Sequence, residues 1–186
     1  AMLRDGAHVV GCNLPYDAII SAAYGDPEII ELIFQAGDED RLHDIAIREA
    51  LHDIAIGKLF IDYETGEAFA KRDPVTGEMA GRYSMKILMK RHFKLDISAT
   101  KSGGPRMGYA RLEVVPQELW SPEERDYPKR DARHTLDVFH AQRGHYNLHN
   151  EAAQVRAAIG LQLMHVWGLR TDRAYVLELE KSVDAE

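Results

Sequence analysis

The spacing of apolar residues changes several times along the chain, and each change marks an expected element. Ala7-His8-Val9-Val10-Gly11-Cys12 is short, apolar and β-branched, which predicts a strand. Asn13-Leu14-Pro15 breaks it, and Tyr16-Asp17-Ala18-Ile19-Ile20 begins helical spacing, so a strand is expected to run directly into a helix. Asn13 stands where a cap or turn residue belongs. A second helix is predicted across Pro27 to Gln35, with Asp26 as N-cap and the proline where its missing N–H is harmless. A third runs from about Asp44 to Ile56 and stops at Gly57. Between Lys58 and Arg82 the period shortens. Leu59-Phe60-Ile61 and Glu67-Ala68-Phe69-Ala70, separated by Glu64-Thr65-Gly66, read as a β-hairpin. Helical spacing resumes from Tyr83 to Phe93, with Met85, Leu88 and Met89 apolar, and Ser98 to Gly108 reads as an irregular loop. Two further helices are predicted, one across Pro122 to Gln142 and one across Glu151 to Leu169, where Val155, Ile159, Leu163 and Val166 share a side. Gly144 to Asn150 reads as a polar connector, and a last helical segment restarts at Thr171-Asp172.

Composition bounds this picture without redirecting it. With 186 residues, 45% hydrophobic and 28% charged, the chain can bury a core and is neither disordered nor fibrous. Its single cysteine, Cys12, cannot close an internal disulfide. No apolar run approaches the roughly 20 residues needed to cross a bilayer, and Ala-Met-Leu-Arg-Asp lacks the apolar core of a signal peptide. The expected setting is therefore cytoplasmic, with no membrane partner.

Charge becomes informative when divided by position. The net charge of −7 disfavours a nucleic-acid partner, yet residues 1–57 carry 3 positive and 11 negative side chains while residues 58–150 carry 16 and 13. From Lys86 to Arg111, Lys86, Lys90, Arg91, Lys94, Lys101, Arg106 and Arg111 face only Asp96, with Phe93 and Tyr109 interleaved. Such density suits phosphate contacts and equally suits a solvated helix face.

Two carboxylates stand out by context. Asp17 lies in the first turn of a helix that follows a strand, where ligands gather in open α/β sheets and where an acid also steadies the helix dipole. In Tyr127-Pro128-Lys129-Arg130-Asp131, a phenol and a carboxylate at i and i+4 share one helix face. The order of these segments carries a resemblance. Val9 to Asp17, with Asn13 preceding the Tyr16-Asp17 pair, resembles the second motif of DnaQ-like 3′ to 5′ exonucleases. Tyr127 to Asp131, followed by Ala132 and Thr135, resembles their third. Arg41-Leu42-His43-Asp44 with Ile47-Arg48-Glu49, and Tyr83-Ser84-Met85 with Leu88 and Lys90-Arg91-His92, resemble the exonuclease domain of phage-type family A DNA polymerases. Glu151 to Ala158 and Trp167 to Asp172 resemble the start of their polymerase portion.

The resemblance implies an α/β, ribonuclease-H-like fold. Residues 1–143 would form the exonuclease domain, 144–150 a linker and 151–186 the helical start of the polymerase domain. It implies phosphodiester hydrolysis assisted by two divalent ions, Mg²⁺ or Mn²⁺, which take oxygen ligands. Asp17 and Asp131 would be ligands, and Tyr127 would orient the attacking water. Asn13 would contact the strand or hold the turn, the turn role being the simpler. Lys101, Arg106, Tyr109 and Arg111 would contact backbone and bases of single-stranded DNA or a primer 3′ end, and the rest of the polymerase chain would be the other partner.

The sequence departs from the family at the first motif, an Asp-x-Glu expected before Asn13. Asp62-Tyr63-Glu64 has those letters, but it falls between the second and third motifs inside the predicted hairpin, where Glu-Thr-Gly is ordinary turn chemistry. The expectation is an N-terminally truncated domain holding two of its four metal carboxylates, with impaired hydrolysis. An alternative of another class is an exonuclease-like module that binds DNA as a structural element without catalysis. A third reading comes from His43-Asp44 and His52-Asp53, the pairs used by metal-dependent phosphohydrolases. Nine residues of helix place these two histidines on opposite faces, so that reading requires a different histidine beside His43 in space. His145 and His149 have zinc-like spacing within a connector, and Cys12 reads as a small buried residue.

Overall fold

The computed structural model describes residues 3–25, 27–61, 64, 68–98, 112, 114–143, 146, 148–168 and 172–183. In chain order these form β1 (Val9–Gly11), α1 (Leu14–Tyr24), α2 (Pro27–Asp38), β2 (Leu42–Asp44), α3 (Ile45–Ala55), β3 (Leu59–Ile61), β4 (Ala68–Ala70), α4 (Met85–Phe93), α5 (Pro122–Arg143), α6 (Glu151–Trp167) and α7 (Arg173–Val183). The architecture is mixed α/β and mostly helical, with two small sheets.

β1 and β2 pair in parallel, Val10 opposite His43 and Gly11 opposite Asp44. Successive strand side chains point to opposite faces, and β1 uses both: Val9 packs on one apolar cluster and Val10 on another. The first cluster joins Leu14 and Ala18 of α1, Ile33 and Ala36 of α2, Leu42 of β2, and Val155 and Ile159 of α6. The second joins Ile45 of α3, Met85, Leu88 and Met89 of α4, Ile97, and Val138 and Phe139 of α5. The sheet thus lies between two helical layers. Each fully buried Leu or Val contributes about 1.5–3 kcal/mol, which makes Leu88, Val138 and Val155 the anchors of these layers.

The predicted helices are all present, with shifted ends. The third begins at Ile45, because Leu42-His43-Asp44 is drawn into a strand by pairing with β1. The hairpin is present: β3 and β4 are antiparallel, with Leu59 opposite Ala70 and Ile61 opposite Ala68. Glu64 lies in its turn, while Asp62, Tyr63 and residues 65–67 lie outside the described residues. The segment expected to open a polymerase portion begins with α6, which is built into the first cluster through Val155 and Ile159. Leu163 packs partly against that cluster, but Val166 is exposed. Among the described residues no helix is long and apolar enough to cross a membrane.

A buried charged network ties α3, α4 and α5 together. Glu49 accepts from Arg91 Nη1 at 2.6 Å, Gln142 Nε2 at 2.7 Å and the Tyr146 hydroxyl at 3.0 Å, with His92 Nε2 at 2.9 Å. Arg91 also reaches Asp53 at 3.1 Å and Asp73 at 3.2 Å, and Tyr83 donates to Asp53 at 3.1 Å. Burial alone would raise the Glu49 pKa, but the bonds from His92, Arg91 and Gln142 outweigh it and bring it down to about 2. Arg91 therefore belongs to the interior and leaves the basic surface that its sequence neighbours suggest. Tyr146, in the expected connector, is tied to the same network and stacks on His52 at 3.8 Å.

Candidate active-site cleft

The turn from β1 into α1 sets the first half of the site. A Cβ on Gly11 would meet Leu14 Cβ at 2.8 Å, so the strand can enter the helix this abruptly only with glycine there. Asn13 takes the left-handed conformation, φ 70° and ψ 44°, which asparagine tolerates better than most residues. Its side chain makes no cap bond. The capping is done by Asp44, whose Oδ2 accepts from Leu14 N–H at 2.5 Å while Oδ1 accepts from Ala46 and Ile47 N–H at 2.8 and 3.0 Å. One buried carboxylate at the end of β2 thus caps α1 and α3 together. Burial raises its pKa and those backbone N–H groups oppose the rise.

Asp17, one turn further along α1, is exposed to a cleft of about 1050 Å³. Partial desolvation, and then the nearby Asp44 carboxylate, hold its pKa above the ordinary value. Across the cleft stands α5, which presents Tyr127 and Asp131 from one face, as the i, i+4 spacing predicts. Tyr127 is buried, with the Arg130 guanidinium 5.9 Å from its ring centre, and Asp131 is half-buried. Asn13, Asp17, Tyr127 and Asp131, named separately from sequence, all line this one cleft.

Lys86, at the start of α4, is a further lining residue. The density of basic residues signalled it, but its place beside two carboxylates depends on α4 packing against α5. Tyr16 and Ser84 also line the cleft. Lys101, Arg106, Tyr109 and Arg111 lie outside the described residues. Among the described residues no group of three or more His, Cys, Asp or Glu side chains is arranged to hold a metal ion.

The condition set by the phosphohydrolase reading is met in part. His8 lies beside His43, Nδ1 to Nε2 2.9 Å, but Asp44 is turned to backbone N–H groups. His52 is elsewhere, stacked on Tyr146. Comparison with known proteins returns no matching family model, no matching curated protein and no matching solved structure.

Proposed function

We propose that the chain carries a DnaQ-like 3′ to 5′ exonuclease domain of the phage family A polymerase type, acting on DNA 3′ ends at the cleft between α1 and α5. What carries this reading is the convergence of Asn13, Asp17, Tyr127 and Asp131, far apart in sequence, on one cleft at the carboxyl end of β1. Open α/β sheets bind ligands at that end.

The donor chemistry fits a hard divalent cation. Asp17 and Asp131 offer carboxylate oxygens, the ligands that Mg²⁺ and Mn²⁺ take. Partial desolvation, and then the Asp44 charge, make the Asp17 carboxylate costly to keep ionised, and a bound cation would lower that cost. When bound, the metal supplies Lewis-acid stabilisation of the phosphodiester oxygens. Tyr127 orients the attacking water by its hydroxyl, held in place by the burial of its ring. Asn13 keeps the α1 entry tight, so that Asp17 faces the scissile phosphate, and Lys86 meets the phosphate charge of the strand.

The test is Mn²⁺ titration followed by calorimetry, with a 3′-labelled single strand assayed alongside. Mn²⁺ is expected to bind, and Asp17→Asn and Asp131→Asn are each expected to weaken it at least tenfold. Any release of the 3′ label is expected to require Mn²⁺ and to fall in both variants. Mn²⁺ affinity unchanged in both variants overturns the metal assignment. Single-strand binding without any Mn²⁺ binding marks the non-catalytic DNA-binding module instead.

A further inference from the structure

A second constellation lies away from the cleft, on the β1–β2 sheet. His8 stands two residues before Val10, and Val10 is the partner of His43, so the parallel register puts both imidazoles on one face. Their facing nitrogens, His8 Nδ1 and His43 Nε2, are 2.9 Å apart. The rings are 11° from parallel with centroids 5.2 Å apart, far wider than the 3.8 Å of the face-to-face His52–Tyr146 stack. They therefore meet edge to edge in nearly one plane. Behind them, His43 Nδ1 lies 3.0 Å from Glu151 Oε1 at the start of α6, and Glu151 is ion-paired with Arg48 through its other oxygen.

We infer that His8 and His43 form a two-imidazole site for a divalent transition-metal ion, with Glu151 as the residue that positions His43. The carboxylate accepts from His43 Nδ1–H, which leaves the His43 Nε2 lone pair facing His8. In the metal-free protein that lone pair accepts from His8 Nδ1–H; a metal ion would take the place of this proton, which leaves to solvent while the exposed His8 ring turns its Nδ1 lone pair towards the ion.

Imidazole nitrogens are donors that suit Ni²⁺ and Cu²⁺, and among first-row divalent ions Cu²⁺ binds such donors most tightly. Two protein ligands leave the other positions to water. Arg48 balances the Glu151 charge, so the carboxylate orients His43 without adding net charge. Neither histidine lines the cleft, so the inference does not rest on the exonuclease reading. A bound ion would link residues 8 and 43, and through Glu151 the α6 helix, into one unit.

The experiment uses the whole chain at neutral pH. Calorimetric titration with Ni²⁺ is expected to show a site whose affinity falls at least tenfold in His8→Ala and in His43→Gln and is unchanged in Asp17→Asn. Glu151→Gln is expected to weaken it about 10–100-fold, the usual cost of losing a ligand-orienting carboxylate. Cu²⁺ electron paramagnetic resonance is expected to show coupling to two imidazole nitrogens. His8 is exposed, so His8→Ala leaves the fold intact and is the deciding variant. Unchanged Ni²⁺ affinity in His8→Ala, or a one-nitrogen Cu²⁺ spectrum, overturns the proposal.

Discussion

Carboxylates serve opposite ends in two regions of this molecule. At the junction of α3, α4 and α5, Glu49, Asp53 and Asp73 are almost wholly buried, and Arg91 reaches all three. In the cleft, Asp17 is exposed, and the charged group that shifts it is another carboxylate, Asp44. The consequences diverge: the Glu49 pKa falls to about 2 while that of Asp17 rises. The junction uses its charges to hold helices together. In the cleft, partial desolvation and then the Asp44 charge oppose ionisation of Asp17, a cost that a bound cation would lower. Charge placement therefore separates the part of the molecule that secures the fold from the part suited to a ligand.

The comparison breaks most visibly at Glu49. Glu49→Ala removes the partner of the Tyr146 hydroxyl and of His92 Nε2 and one of the partners of Arg91 and Gln142. Breaking a buried ion pair from one side costs about 3–5 kcal/mol. Urea unfolding at neutral pH is expected to show a loss of that size. A loss below about 1 kcal/mol would mean that Asp53 and Asp73 suffice for Arg91 and that the junction is not organised around Glu49.

Acid sharpens the same contrast with a smaller effect. A carboxyl whose folded pKa lies below its unfolded value stabilises the protein above the unfolded pKa and loses that contribution as pH falls through the folded one. For Glu49 the window runs from its ordinary 4.5 down to about 2, and the shift corresponds to about 3 kcal/mol. Unfolding free energy measured across that window is expected to fall progressively, and the Glu49→Ala protein is expected to show a flatter slope. Equal slopes in the two proteins would remove Glu49 from the acid response.

The parts of this arrangement differ in how far sequence exposes them. The hairpin and the helices are legible because each is set by local periodicity and by turn residues such as Gly57. β2 is not, since Leu42-His43-Asp44 is too short for a period and becomes a strand only against Val9 to Gly11. Tyr127 and Asp131 are legible as a pair on one helix face. Their meeting with Asn13 and Asp17 depends on α5 packing against β1, a contact that only the order of resembling motifs anticipates. Asp44 reads as the start of the third helix, and its bond to Leu14 N–H cannot be read from spacing. Arg91 sits in a basic run and reads as surface, yet buried acids from α3 and the segment after β4 draw it inward. The His8–His43 contact is equally long-range, arising from the register of two parallel strands.

The smallest expected effect on stability tests the cleft side of the comparison. Asp17→Asn removes a first-turn acid, which weakens its favourable interaction with the α1 dipole. It also removes the repulsion between Asp17 and Asp44, a gain of opposite sign. Both are reduced by the exposure of the side chain to solvent, so the net change in unfolding free energy is expected to stay within about 0.5 kcal/mol. The sign follows from linkage. A carboxyl with a raised folded pKa opposes folding once ionised, so Asn in its place is expected to leave stability at neutral pH equal or slightly higher. Thermal unfolding in metal-free buffer measures this directly. If Asp17→Asn instead destabilises the chain by more than about 1 kcal/mol, Asp17 is a structural acid like those of the junction, and the division between a securing region and a ligand region fails. If stability holds while Mn²⁺ affinity drops, the Asp17 charge in the cleft is kept for a ligand at no benefit to the fold.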